Sequence, residues 1–290
     1  MKKRNWILIL LIIVCVACYF GYRTMDAMRT DTDAPEIKMD AKIPEVSVKD
    51  PRTALLQGIT AKDKRDGDVT DLLVVENITL LDNTGKLMVS YAAFDHAGNV
   101  AKAQREAKYT DYESPKFVMG APLLFSYGTT FDILSTVGAR DAIDGDIQHR
   151  IRATPLDENS ISTMGTHEVR FQVTNSLGDT VTQVLPVEVY DPEMYDARLS
   201  LTNYLVYLPT GATFTPNAYL ETFQLGGEEV SLESGLPKGY TLKLKGGVQT
   251  NTPGTYVVEY RVTYTQKNEN NPSLDRSWTG YSKLIVVVEG

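Results

Sequence analysis

Three stretches of the chain alternate apolar and polar side chains with a period of two. After Gly85, one face carries Leu87, Val89, Tyr91 and Ala93. After Gly165 it carries His167, Val169, Phe171 and Val173, and after Gly254 it carries Tyr256, Val258, Tyr260 and Val262. The intervening residues are largely polar in the second and third stretches: Glu168, Arg170 and Gln172, then Glu259, Arg261 and Thr263. One set of side chains is thereby sent to a core and the other to water, which predicts half-buried antiparallel strands. Short β-rich runs punctuated by Gly, Asn, Asp and Pro at intervals of about ten residues predict β-sandwiches.

The N-terminus breaks this pattern. Met1-Lys-Lys-Arg4 precedes an apolar run, Trp6 to Tyr22, of some 17 residues without a charge. That length is at the lower limit for crossing a bilayer core of about 30 Å. The leading reading is an uncleaved transmembrane signal anchor. The excess of Lys2, Lys3 and Arg4 sets the N-terminus in the cytoplasm and everything after Arg23 outside. Cleavage as a signal peptide and lipidation at Cys18 are the competing readings; the run is long for the former, and Cys15-Val-Ala-Cys18 fits the latter only loosely. Thr24 to Asp33 reads as a polar linker without periodicity. No second span or sorting motif follows, so the reading places the tether at the N-terminus.

Beyond the anchor, two motifs recur. Asp63-Lys-Arg-Asp66-Gly67-Asp68 is echoed by Asp141-Ala-Ile-Asp144-Gly145-Asp146, and Asp95-His-Ala-Gly98-Asn99 by Asn175-Ser-Leu-Gly178-Asp179. Gly67 and Gly145 are 78 residues apart, and Gly98 and Gly178 are 80 apart. Nearly equal offsets of independent landmarks predict modules of about 80 residues in tandem. With Pro35, Pro115 and Pro192 marking the junctions, the expected organisation is 1–23 cytoplasmic stub and anchor, 24–33 linker, and modules at 34–112, 113–191 and 192–290. The third module keeps the strand alternation but not the Asp-Gly-Asp motif. The expected fold class is therefore all-β: tandem antiparallel β-sandwiches behind one N-terminal transmembrane helix.

In combination, Asp-x-x-Asp-Gly-Asp-(Val/Ile), the alternating strand and Asp-x-x-Gly-Asn-x-Ala resemble bacterial immunoglobulin-like surface repeats, the HYR-like modules and the Ig-like module attached to some crystal toxins. The resemblance covers 34–191 well and 192–290 only by strand pattern. Asn175 and Asp179 are exchanged relative to it, and Tyr264 stands where its first Asp would be. It implies Ig-like sandwiches used as spacers or adhesive units at a bacterial cell surface, and not as catalysts.

Composition narrows the chemistry. The net charge of −8 argues against a nucleic-acid partner, which calls for a basic face. Both cysteines, Cys15 and Cys18, lie in the apolar run, which leaves no disulfide or thiolate metal site in the modules. No nucleophile–base–acid order or phosphate loop is visible, so no enzyme is expected. In an Ig-like topology the two acidic loops of each module meet at one end, near the incoming linker. Asp63, Asp66, Asp68, Asp95 and Asn99 would then converge near Asp31 and Asp33. Asp141, Asp144, Asp146, Asn175 and Asp179 would converge near Asp111 and Glu113. Such sets could supply the six to eight oxygens that Ca2+ takes. The competing reading is turn chemistry, since Asp and Asn bond their own turn backbones and glycine supplies positive φ. The third module holds nine of the 16 tyrosines. It also has a long stretch, Thr265 to Gly280, read as a loop, which nominates Arg276, Trp278 and Tyr281 for a protein or glycan ligand. Tyrosines filling the core, or a loop bracing the junction with module two, are the alternatives. Two other functions stand beside the adhesin or stalk reading: an accessory subunit of an envelope assembly or secretion machine, and a carbohydrate-binding surface module.

Overall fold

The structure is a computed structural model and describes residues 2–29, 31–156, 161–268 and 271–290. Helix α1 runs Lys2–Arg29, longer than the apolar run itself. Within it Trp6–Met25 has a mean hydropathy of 2.2, and all of its side chains are exposed. The polar linker expected from Thr24 is thus shortened: the helix continues through Met25, Ala27, Met28 and Arg29, all good helix formers, and Thr24 Oγ1 donates to the Gly21 carbonyl one turn back at 2.9 Å.

The chain divides into two compact units, Met1–Glu113 and Ser114–Gly290. In the first, β1 (Glu36–Met39), β3 (Ile59–Asp63) and β4 (Gly67–Asp68) form one sheet, in the order β1-β3-β4. The other sheet has the order β2-β7-β6-β5, built from β2 (Glu45–Val46), β5 (Leu73–Leu80), β6 (Lys86–Phe94) and β7 (Val100–Tyr109). The alternation read from the sequence is realised in β6: Leu87, Val89, Tyr91 and Ala93 are all fully buried. The Tyr91 hydroxyl, carried into that core, donates to the Leu55 carbonyl at 2.9 Å.

The second unit begins with β8 (Lys116–Met119), β9 (Leu124–Ser126), β10 (Val137–Asp141), β11 (Gly145–Asp146), β12 (Arg152–Pro155), β13 (Gly165–Thr174) and β14 (Thr180–Tyr190). They pair as β8-β10-β11 and β9-β14-β13-β12, the same order as in the first unit. Phe117, Val137 and Ala139 from one sheet pack with Val169, Phe171 and Leu185 from the other. The rest of the unit holds β15 (Ala197–Leu201), β16 (Leu205–Pro209), β17 (Leu220–Leu225), β18 (Glu228–Ser231), β19 (Tyr240–Lys245), β20 (Gly254–Gln266) and β21 (Arg276–Glu289). These run β18-β17-β15-β21-β20-β19, with β16 also on β21.

The junction expected at residues 191–192 lies inside this second unit, and β21 explains why the two parts cohere. Gly280 to Val288 are all buried. Leu284 and Val286 enter the core formed with Phe223 and Tyr260, whereas Ile285 and Val287 enter the one formed with Phe117 and Phe171. A strand covered on both faces reads as a continuous apolar run instead of an alternating one, and Leu284-Ile-Val-Val-Val288 is that run.

Candidate functional site

The acidic repeats fold alike at the backbone. Asp63 Oδ1 accepts from the amides of Arg65 (2.6 Å) and Asp66 (3.0 Å), and Asp141 Oδ1 from those of Ile143 (2.9 Å) and Asp144 (2.8 Å). Gly67 and Gly145 then take φ of +79° and +71°, which turns the chain back into β4 and β11. The third acid of each motif serves the next turn. Asp68 Oδ1 accepts from the Thr70 amide and hydroxyl (3.1 and 2.6 Å), and Asp146 Oδ1 from the Gln148 amide (3.0 Å). Turn capping thus accounts for one oxygen of Asp63 and of Asp141, and for Asp68 and Asp146.

At the second oxygen the copies diverge. In the second, Asn175 Nδ2 donates to Asp141 Oδ2 at 3.0 Å. Asp144 is held by the Ser176 amide (2.6 Å) and hydroxyl (2.7 Å) and by the Arg150 guanidinium at 2.7 Å. The Asn175 carbonyl oxygen accepts from the Leu177 and Asp179 amides, both at 3.0 Å, so Asp179 contributes its backbone here. In the first copy Asp95 replaces Asn175 and has no amide to offer. Its carboxylate accepts from the Asn99 amide and side chain, both at 2.7 Å, while Asn99 Nδ2 also donates to the Asp31 carbonyl at 3.2 Å. Leu72 stands where Arg150 would, at the same 78-residue offset.

The result is a cluster of Asp31, Asp63 and Asp66, whose nearest carboxylate oxygens all lie within 4.8 Å of one another. Asp63 is 7% exposed, and its Oδ2 and that of Asp31 are buried with no hydrogen-bond partner. Asp66 Oδ2 accepts from the His96 amide at 2.8 Å, with His96 Nδ1 at 3.2 Å. The Asp66 and Arg65 amides hold the Asp63 carboxyl below the ordinary carboxylate range, so it stays charged at neutral pH. For Asp95 burial works upward, but the Asn99 hydrogen bonds outweigh it and the pKa falls. Asp33, expected beside this cluster, pairs with Lys64 at 2.9 Å. Asp111, expected near the second set, instead accepts from Ser47 Oγ (2.7 Å) and the Val48 amide (2.8 Å) in the first unit.

The aromatic stretch is also corrected. Residues 276–280 continue β21, paired opposite β20 as far as Gln266↔Arg276, so the connection is shorter than the 265–280 loop expected; Glu269 and Asn270 lie outside the described residues. Trp278 faces Tyr264 across the hairpin, and stacked rings run from Trp278 to Tyr264 (5.9 Å) to Tyr240 (4.7 Å), with Tyr240 edge-on to the core residue Phe223 (5.4 Å). Arg276 is exposed. Tyr281 is buried: it donates to Glu188 at 3.2 Å, stacks on Tyr195 at 4.7 Å and lies under the Arg261 guanidinium at 5.4 Å. Burial pushes its phenol pKa up. Lys283 pairs with the same Glu188. Tyr281 therefore braces the interior of the second unit and is closed to an outside ligand. Beside it, a groove of about 510 Å³ is lined by Phe125, Tyr190, Tyr195, Arg198 and Tyr204. The alternating pattern drew attention to the tyrosines but gave no hint of this groove, because Pro122, Thr136 and Tyr195 come from separate connections.

No family model matches the chain. A stretch of 60 residues, 21% of the chain, is 47% identical to an uncharacterized 81.3 kDa protein of Acholeplasma phage L2, and the match spans 8% of the phage protein's length. Among solved structures, the CBM51-2 and INT domains of Clostridium perfringens ZmpB align over 57% of this chain and 31% of theirs, with 16% identity and a TM-score of 0.22. The protocadherin gammaB4 extracellular domain aligns over 88% of this chain and 50% of its own, with 12% identity and a TM-score of 0.19. Mouse cadherin-23 EC22–24 aligns over 89% and 99%, with 11% identity and a TM-score of 0.20. The all-β assignment rests on the strands and their pairing.

Proposed function

We propose that the chain is a non-catalytic, single-pass protein of a bacterial cell membrane, with its N-terminus in the cytoplasm. Its three Ig-like modules, 34–112, 113–191 and 192–290, form an extracellular stalk with an adhesive or ligand-binding surface for a protein or glycan. The observation that carries this reading is the 20-residue apolar segment Trp6–Met25, exposed on every side and followed directly by β-sandwich strands. An apolar stripe that wide is stable in lipid, whereas in water it would aggregate. Ligand contact is assigned to the Arg276–Trp278 end of β21, where an exposed guanidinium adjoins a stacked aromatic row. Binding of surface glycans and proteins to the full chain in lipid nanodiscs tests it: Arg276→Ala should weaken a captured ligand at least tenfold at unchanged melting temperature. Unchanged affinity would move the contact elsewhere.

A divalent cation belongs to this reading at the Asp31–Asp63–Asp66 cluster. Hard carboxylate oxygens, two of them buried without a partner, are the donor set that Ca2+ takes. Calcium should raise the melting temperature of the full chain by mass action, by about 2.7 kcal/mol of stability at 100-fold over its Kd. No response to calcium would remove the cation from the reading.

A further inference from the structure

The geometry points to a single calcium ion per chain, held by the first acidic repeat alone, that fastens the segment leaving the membrane helix onto the first sandwich. This rests on the reading that the Asp31–Asp63–Asp66 cluster holds a cation, and adds where the ion stops and what it does.

The two repeats supply their own control. Their turns are superposable in hydrogen bonding, yet in the second copy the oxygens that would face a cation already have donors: Asn175 Nδ2 on Asp141, and Arg150 with Ser176 on Asp144. A positive charge and an amide do there what a metal would do. The first copy has exchanged both. Asp95 offers oxygens where Asn175 offers a donor, Leu72 offers no charge where Arg150 does, and the buried Asp63 Oδ2 is left aimed at Asp31 and Asp66 without a hydrogen bond. Removing an anionic oxygen from water without a partner is costly, and three carboxylates at this spacing repel one another. A divalent cation cancels both costs; a further hydrogen-bonding side chain would cancel only the first.

The third ligand decides the consequence. Asp31 lies two residues past Arg29, the end of α1, and is not part of the sandwich sheets. Its carbonyl is held by Asn99 at 3.2 Å, a single contact to the loop between β6 and β7. A cation shared by Asp31 Oδ2 and the Asp63 carboxylate would tie this segment to a rigid hairpin. Without it, like charges push the segment away. Calcium thereby sets how freely the first sandwich moves on its tether.

The test uses the full chain in nanodiscs, with calcium stoichiometry by isothermal titration and hydrogen–deuterium exchange of the amides in 31–36. One calcium per chain is expected, with exchange in 31–36 slowed at least tenfold. Asp63→Asn should abolish binding, and Asp31→Asn should both weaken it at least tenfold and release the protection. Asp144→Asn should leave the stoichiometry and the protection unchanged. One ion bound with no change in exchange at 31–36 would overturn the fastening while leaving the cation reading intact. Two ions per chain would overturn the restriction to the first repeat. No ion bound would bring down the cation reading and this inference together.

Discussion

A single atom type separates the two acidic repeats: a side-chain amide at position 175, a second carboxylate oxygen at position 95. Exchanging them should exchange the behaviour. Asn175→Asp loses the hydrogen bond to the buried Asp141 and sets two carboxylates together. It should cost about 1–3 kcal/mol in calcium-free buffer, read by thermal or urea melting. Asp95→Asn should place a donor near Asp63 Oδ2 and remove the calcium response of the melting curve. Acid sensitivity follows from the same groups. For Asp144 burial works upward, but the Ser176 hydrogen bonds and the Arg150 pair outweigh it and lower the pKa; for Asp68 the Thr70 hydroxyl and amide lower it. A carboxyl with a depressed folded pKa contributes stability above its unfolded pKa, about 4, and loses it as pH falls through the folded value. Stability should therefore be flat from pH 7 to about 5 and fall steadily below 4, as followed by circular dichroism. The repeat, its turn and its glycines were legible from residue types. The difference between the copies was written in Asn175 and Arg150, but it becomes legible only once the fold brings positions 141 and 175, and 144 and 150, within hydrogen-bond reach.

Among the elements, β6, β13 and β20 were readable because one face meets water and the other a core. β21 was harder. Its run Leu284–Val288 gave up the alternation because both faces are covered, and a period-two reading cannot say what covers the second face. Ile285→Ala should cost about 2–5 kcal/mol, as for other large-to-small changes in a core. Since residue 285 packs with Phe117 and Phe171, protease sensitivity should rise between β8 and β14 as well as near β21, which peptide mapping would show. The turn before β6 offers a second test. Gly85 has φ of +88°, and a Cβ there would meet the Tyr109 carbonyl oxygen at 2.6 Å and Tyr112 Cβ at 2.9 Å. Gly85→Ala should therefore destabilise the first unit by more than the roughly 1 kcal/mol that a positive φ alone costs, measured by urea unfolding. Likewise, the length of the β20–β21 hairpin escaped the sequence reading because Thr265, Gln266, Arg276 and Ser277 are polar on both faces and carry no periodic signal.

At the scale of the whole molecule, a helix of 28 residues, roughly 42 Å at 1.5 Å per residue, is long enough to cross a bilayer and leave a turn or two beyond it. Everything after it is strand and turn, apart from short 3₁₀ segments. The proposed role follows from that division: a greasy tether, a calcium-fastened exit and a rigid pair of sandwiches in Ser114–Gly290 that present Arg276 and Trp278. The measurement that tests this most directly is the accessibility of a C-terminal epitope on intact bacteria expressing the full chain, together with its retention in carbonate-washed membranes. Labelling of intact cells, protection of an N-terminal epitope until lysis, and retention in the washed membrane are the predicted results. A C-terminal epitope reached only after lysis, or a chain released by the wash, would contradict the account.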